Sequence, residues 1–409
     1  GNEGGGVVLG GGASGNTLGG GNVISGNANG ITVHDVGSDN NVITGNLIGT
    51  DATGTFSYSR QSGDGILLRA GSEGTIVGGD TPADRDLISG NFRGINVDGS
   101  NNNIITGNYI GTNESGTAAI RNLHGIELNA SFNRVGTNGD GTNDEFEGNL
   151  IGGNQVSGVF LTGGGNNIVA GNFIGTTFDG TGVIRNGDGV FISNGADNVI
   201  GTNGSNDAFN ANERNIIAGN GRGVVLDGDN VVAGNWIGLD ATGAANGNEY
   251  GIQITGIGSL VGTNADGIAD ADERNVISGN TADGIIASAT GVFIAGNYIG
   301  LNVAGDAAIG NGAAGIQINA GGNDITIGGS APAQRNVIAG NTIRNIHITD
   351  SVSEFNNILG NYIGTDATGE TAIGVASYGI QIVDAQYNTI GGAAANIISG
   401  HLGAGVRIE

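Results

Sequence analysis

A short anchor, Gly-Ile-x-[Ile/Val/Leu] with close variants, recurs along the whole chain. It begins at Gly30, Gly65, Gly94, Gly125, Gly158, Gly189, Gly223, Gly251, Gly284, Gly315, Asn345, Gly379 and Gly405, and Gly6 opens an earlier copy. The mean spacing is roughly 31 residues, the period of a solenoid whose single unit cannot bury its own apolar face. Within each unit three short runs alternate apolar and polar residues, the signature of strands, and no run of about ten residues has helical periodicity. The pattern predicts an all-β solenoid of about 13 coils with three strands per coil, forming a single domain over residues 1–409.

Two coil types alternate. The first reads GIxI, NxIxGN, xIGTDATGT and a variable loop, as in Gly30–Asp64, Gly94–His124 and Gly158–Asp188. The second reads GIxI, NxIGG or VGTN, a variable loop, then RNVISGN, as in Gly65–Arg93, Gly189–Arg222 and Gly251–Asp283. Stacking coils at the strand spacing of about 4.8 Å puts equivalent residues above one another, so inward positions must accept columns of like side chains. Ile31/Val33, Ile66/Leu68, Ile95/Val97, Ile126/Leu128, Val190/Ile192, Val224/Leu226, Ile252/Ile254, Ile316/Ile318 and Ile380/Ile382 supply such columns. The recurring Gly-Asn pairs mark corners, where both residues tolerate positive φ and an amide can bond its neighbours above and below. That repeated backbone demand accounts for 86 Gly against 2 Pro. Collagen is excluded because Gly does not recur every third residue, and disorder because Ile and Val are plentiful and regularly spaced.

The pattern "RNVISGN…GIxI…NxIxGNxIGTDATGT" resembles right-handed parallel β-helix repeat proteins of the bacterial surface and secreted type, over essentially the whole chain. The resemblance implies a right-handed parallel β-helix. It is poor in functional content, because β-helices include pectin and alginate lyases, hydrolases, epimerases, adhesins and tailspikes. The polygalacturonase-type NTD, DD, GHG and RIK set and the DPHE of mannuronan epimerases are missing, and the chain has no lysine to act as a base.

With no cysteine, neither disulfides nor thiolate metal sites are available. The formal net charge is -25, from 38 acidic residues against 13 basic ones, all of them Arg. Nucleic acid and anionic membranes would be repelled, whereas calcium, neutral or cationic surfaces and a salty exterior suit such a chain. No apolar run approaches the roughly 18 residues that cross a bilayer, so membrane insertion is not expected. An extracellular or cell-surface setting fits these properties.

The second and fourth positions after each anchor should face solvent on the first-strand sheet. There His34, Arg69, Asp98 and Glu127 fall on four successive coils. Strand spacings put the Asp98 and Glu127 carboxylates roughly 8 Å apart, within the range of about 6.5–9.5 Å of inverting glycosidases. These four are the candidate catalytic residues: two carboxylates, Arg69 to hold a sugar acid, His34 to shuttle a proton. Phe160 and Phe191 on the next coils would extend the groove as a stacking platform for sugar rings. The alternative is a solvated sheet face whose acids reflect the composition.

The variable loops carry a second signal. Residues 136–149, 201–215 and 262–275 read GTNGDGTNDEFEGN, GTNGSNDAFNANERN and GTNADGIADADERN. The first and third share N-x-D-G-x-x-D-x-x-E, giving Asn138, Asp140, Asp144 and Glu147, then Asn264, Asp266, Asp270 and Glu273. Alternating oxygen ligands, a Gly for the turn and a later Glu resemble the start of an EF-hand loop, and calcium is the cation that fits. In the middle copy only Asn203, Asp207 and Glu213 carry over. The alternative is acidic turns closed by their own hydrogen bonds. Isolated His124, His347 and His401 read as surface or corner residues, and IGTDATGT, with no Lys or following helix, is not a phosphate loop.

Three readings remain open. The chain is a surface structural or adhesive β-helix, calcium-stabilised and contacting glycans; or an enzyme acting on polysaccharide, as lyase, hydrolase or epimerase; or a subunit that self-associates end to end into filaments. The last follows from the absence of a recognisable cap: "GNEGGGVVLGGG" enters a coil within six residues and "GAGVRIE" stops after one strand, so Val406 and Ile408 could continue the column of Val7 and Leu9 in a neighbour.

Overall fold

The computed structural model describes residue 2 and residues 5–57 and 63–409. Part of the variable loop expected before Asp64 lies outside the described residues, as do three of the first four residues.

Among the described residues the strands form three parallel sheets, of 14, 13 and 13 strands, and each sheet takes every third strand in strict sequence order. The fold is therefore a right-handed parallel β-helix with three strands per coil, as the repeat predicts. Among the described residues helix is limited to short turns such as Asp144–Glu147 and Asn210–Glu213. The chain falls into two compact units, residues 1–201 with 212–215, and residues 202–211 with 216–409.

In the first unit, the first sheet runs through Asn29–His34, Ile66–Arg69, Arg93–Asp98, His124–Asn129, Ser157–Gly163 and Asp188–Ile192. Register pairing aligns Ile31, Ile66, Ile95, Ile126, Val159 and Val190 in one column, each with 0% of its surface exposed. The second unit repeats this with Val224, Ile252, Ile285, Ile316, Ile346 and Ile380. Burying each such side chain is worth about 1.5–3 kcal/mol, so these columns are the main source of stability.

The corners explain the recurring N-V-I-x-G-N. Asn22 and Asn27 flank the third-sheet strand Val23–Ile24, whereas Asn41 and Asn46 flank the second-sheet strand Val42–Thr44. One hexapeptide thus serves two different sides of the coil, since each side needs an Asn at both of its corners. The amides stack into ladders. Asn103 donates to Asn133 at 2.9 Å, Asn133 to Asn167 at 3.2 Å and Asn167 to Asn198 at 2.9 Å between the first and second sheets. Asn108, Asn149 and Asn172 continue in the same way between the second and third, and Asn122, Asn154 and Asn186 between the third and first. In the second unit, Asn220, Asn248, Asn280, Asn311 and Asn341 form the last of these ladders, which passes to Asn345.

The anchor glycine answers to close approach. A Cβ on Gly94 would lie 2.5 Å from the Gly125 carbonyl oxygen and 3.0 Å from the Asn122 amide. Backbone and ladder converge here, leaving no room for a side chain. Asn345 at the equivalent position spends its side chain as a ladder rung, accepting from Asn341 at 3.0 Å.

The outer side of the third sheet is covered. The GTDATGT segments close into small hairpins, with bridges such as Thr112 to Ala119 and Thr365 to Ala372. In the second unit Leu239, Val276, Tyr298, Leu301, Val337 and Ala339 form a satellite core, with Trp236 and Tyr362 packed against it. Arg274 and Arg335 lie over the Tyr298 and Tyr362 rings, at 4.3 and 4.2 Å.

Candidate functional site

The outer face of the first sheet in the first unit carries the densest cluster of charged side chains named by the sequence. Register pairing places His34 beside Arg69, Arg69 beside Asp98, and Asp98 beside Asn129. Glu127 lies in the neighbouring column, paired with Asn96. Asp98 and Glu127 are therefore diagonal, and each is engaged separately. Asp98 accepts the Asn129 side-chain amide at 3.0 Å. Glu127 accepts from Arg93 NH1 at 3.0 Å. His34 turns to its own neighbour, with Nδ1 2.9 Å from Asp35 Oδ1. That imidazole holds the exposed Asp35 carboxyl below its usual range, with help from the Gly11 N–H.

The residues that tie this face together precede the anchor glycines. Arg93 donates from Nε to Asp64 Oδ1 at 2.7 Å and from NH2 to Asp64 Oδ2 at 3.3 Å, while its NH1 reaches Glu127. Asn96 donates to Asp64 Oδ2 at 2.9 Å. Asp64 is buried, its side chain only 4% exposed, so its charge depends on this bidentate fork. Burial draws His124 below the usual imidazole pKa and Arg93 adds to this, while Glu127 and Asp188 oppose it.

Beside this network His124, Phe160 and Phe191 stack, with centroids 5.0 and 5.1 Å apart and interplanar angles of 17° and 22°. Phe160 and Phe191 are register partners, so the strand spacing brings their rings face to face, whereas His124 reaches Phe160 from the position aligned with Ser157. Both faces of Phe160 are consequently covered, by His124 and Phe191. Phe160 and Phe191, expected as a platform for sugar rings, stack on each other, with His124 on the second face of Phe160. Asp64, Arg93 and His124 were missed as site residues because only the second and fourth positions after the anchor were read as outward. Reading the residue before each anchor, in the series Asp64, Arg93, His124, Ser157, Asp188, would have found them.

The acidic loops fold onto themselves. Glu147 Oε2 accepts from Thr137 Oγ1 and the Asn138 N–H, both at 2.8 Å. Asp140 accepts the Thr142 N–H at 2.8 Å and the Asn138 amide at 3.1 Å, and Asp144 accepts the Gly141 N–H at 3.0 Å and the Asn212 amide at 2.6 Å. The third loop repeats this: Asp266 accepts from Ile268 N–H at 2.8 Å, Asp270 from Thr263 Oγ1 at 3.2 Å, and Glu273 from Asn264 N–H at 3.1 Å. Burial raises the Glu273 carboxyl above its usual range, against the hydrogen bonds from Thr263 and Asn264. In the middle loop Asp207 accepts the Phe209 N–H at 2.8 Å, Asn203 Oδ1 accepts the Ser205 N–H at 2.8 Å, and Glu213 lies against Gly139. Among the described residues no three His, Asp or Glu side chains converge as a metal ligand set. The oxygens named for calcium share loops but accept hydrogen bonds from nearby backbone N–H groups and side chains.

No family model matches the chain, and no curated protein matches it. Among solved structures, the Dettilon tailspike protein is 15% identical, with a TM-score of 0.36, over 96% of this chain and 60% of its own. The chain thus spans less than two thirds of that tailspike. An alginate lyase from Paenibacillus is 13% identical over 92% of this chain and 98% of its own, with a TM-score of 0.35. The Streptococcus pneumoniae surface protein and adhesin PfbA is 11% identical over 92% of this chain and 91% of its own, with a TM-score of 0.27. Among the described residues no helix is long and apolar enough to cross a membrane.

Proposed function

We propose that this chain is a surface-exposed, adhesive β-helix that binds a neutral polysaccharide along the outer face of the first sheet in its first unit. The observation that carries the reading is the fork of Arg93 between Asp64 and Glu127, completed by Asn96. Carboxylates and amides fixed on rigid strands are suited to the hydroxyls of a sugar chain, which both donate and accept. Arg93 is already matched by two carboxylates, and the chain carries a net charge of -25, so the face has no excess positive charge to attract a polyuronate. Asp98 and Glu127, each held by its own donor, recognise sugar in this reading and do not cleave it.

A panel of neutral and uronate polysaccharides, assayed for retention and for new reducing ends or unsaturated products, tests the proposal. The expected result is retention by a neutral glycan without turnover, weakened about tenfold in each of Asp98→Asn and Glu127→Gln, near 1.4 kcal/mol per variant. Binding unchanged in both variants, or turnover by the wild type, would overturn it.

A further inference from the structure

In the ladder between the second and third sheets, the position between Asn46 and Asn108 is an acid, Asp86. Each asparagine rung has two duties: its Oδ1 accepts from the preceding rung, and its Nδ2 donates to the Oδ1 of the next, as Asn108 does to Asn149 at 3.1 Å and Asn149 to Asn172 at 2.9 Å. Asp86 performs the first. Its Oδ1 accepts the Asn46 N–H at 2.7 Å and the Asn46 side-chain amide at 3.0 Å. Its backbone also keeps register, donating to Asn108 Oδ1 at 3.1 Å. The second duty is unmet. Oδ2 stands where an amide nitrogen belongs, is buried and has no hydrogen-bond partner. By the ladder's register it is turned toward Asn108 Oδ1, another acceptor, and two such oxygens repel unless a proton lies between them.

We propose that Asp86 is a proton-dependent rung: as a carboxylic acid it donates to Asn108 and closes the ladder, and on ionisation it opens the ladder and loosens the early coils of the first unit.

The surrounding charges do not relieve the ionised form. Asp84, on the same segment, opposes a second negative charge, and its own carboxylate is engaged with Thr44 Oγ1 at 3.2 Å. Arg85 lies between the two acids in sequence but turns over the Tyr109 ring at 4.0 Å, where Glu114 is the nearby acid. The rungs above and below, Asn46 and Asn108, are neutral, and the Gly78 N–H adds only a partial positive charge. Burial pushes the Asp86 carboxyl up to about 7 from 3.8, against the Asn46 hydrogen bonds and the nearby Gly78 N–H. A raised folded-state pKa contributes stability that is complete below 3.8 and is lost as pH rises through about 7. The ladder is therefore closed in mildly acidic surroundings and open in alkaline ones.

Hydrogen exchange of the intact chain, corrected for its intrinsic pH dependence, tests this. Between about pH 5.5 and about pH 8.5, linkage predicts that the amides of Asn46, Asp86 and Asn108 lose protection on the order of thirtyfold. Asp86→Asn, which supplies the missing donor, should abolish that loss and raise protection at the alkaline end. Infrared difference spectra of the wild type should show a carboxylic-acid carbonyl band vanishing over the same interval, a reading that needs no variant. Protection that ignores pH in the wild type, an Asp86→Asn chain that keeps the full pH dependence, or no acid band would each overturn the proposal.

Discussion

Asn133 accepts two hydrogen bonds from Asn103, one from its backbone N–H at 3.0 Å and one from its side-chain amide at 2.9 Å. It then donates its own amide to Asn167 at 3.2 Å and to the Ser131 carbonyl at 3.1 Å. A single amide thus fastens three coils at a corner where no water reaches. A satisfied hydrogen bond contributes only about 0.5–1.5 kcal/mol net, whereas an orphaned buried donor costs about 1–3 kcal/mol. The ladders therefore act chiefly by penalising every other stacking register, while the aliphatic columns supply most of the stabilisation.

Asn133→Ala should accordingly leave the buried Asn103 N–H without its acceptor and the Asn103 amide with only its Ser100 partners, destabilising the first unit by about 2–4 kcal/mol. Exposed Asn102, one residue from the ladder and left-handed at φ 60, should lose only about 1 kcal/mol on substitution by Ala, the cost of that conformation alone. Denaturant midpoints of the two variants check this, and equal midpoints would mean that the ladder is not the constraint.

Two glycines separate close approach from backbone conformation. Gly94→Ala drives a methyl to 2.5 Å from the Gly125 carbonyl, while Gly99, with φ +67, has nothing within 4 Å of a Cβ. The first substitution should cost about 2–3 kcal/mol by overpacking, the second about 1 kcal/mol from the left-handed conformation alone. Melting curves of both decide it; the reverse order would be inconsistent with the stacked-corner geometry.

Arg93 holds a buried charge in place, so Arg93→Met should destabilise by about 3–5 kcal/mol, the cost of leaving Asp64 buried and unpaired. Adding Asp64→Asn should recover most of the loss. A double variant no more stable than the single would show that Arg93 acts through packing rather than through charge.

The columns and the corners were legible because a solenoid repeats one physical requirement at every coil. Ile95 and Ile126 announce the inward face, and Gly-Asn pairs announce the corners. Single exceptions were harder to read. Asp86, in Arg-Asp-Leu-Ile-Ser-Gly-Asn, stands where the copies of this phrase beginning at Arg214, Arg274 and Arg335 carry Asn, and the exchange reads as one more acid in an acidic chain until the ladder is assembled. Asp64 and Arg93 were hidden by their place before the anchor, where the chain is still turning the corner and strict alternation does not apply. The satellite core around Tyr298 was illegible for another reason: its cover comes from a hairpin following the strand, and periodicity within a strand cannot report that.

The acidic loops make a direct prediction about calcium. Asp140, Asp144 and Glu147 each accept hydrogen bonds from their own loop, as do Asp266, Asp270 and Glu273. A cation would have to displace those bonds before gaining its ligands, so the melting temperature should be nearly the same in calcium and in chelator. A large calcium-dependent rise, removed by Asp140→Ala with Asp266→Ala, would show that the loops reorganise around the ion by mass action on the folded state.

The second unit should respond to acid in the opposite sense from Asp86. His347 lies on the outer face of the first sheet, with Nδ1 2.6 Å from Gln317 Oε1 and Gln381 as its register partner on the next strand. Burial, with the Arg344 guanidinium adding to it, pulls its pKa from 6.5 to about 4. A base with a depressed folded-state pKa binds fewer protons folded than unfolded across that interval. Its contribution is therefore present above 6.5 and is lost as pH falls toward about 4. Because His347 is only half-buried, solvent should moderate the size of the effect, but not its sign. His347→Gln keeps a polar group against Gln317 and cannot titrate, so it should flatten the acid limb of the second unit's stability profile while leaving the alkaline limb unchanged. Stability measured against pH by a probe in residues 216–409 reads this out, and an acid limb of equal slope in the variant would assign the loss to another group.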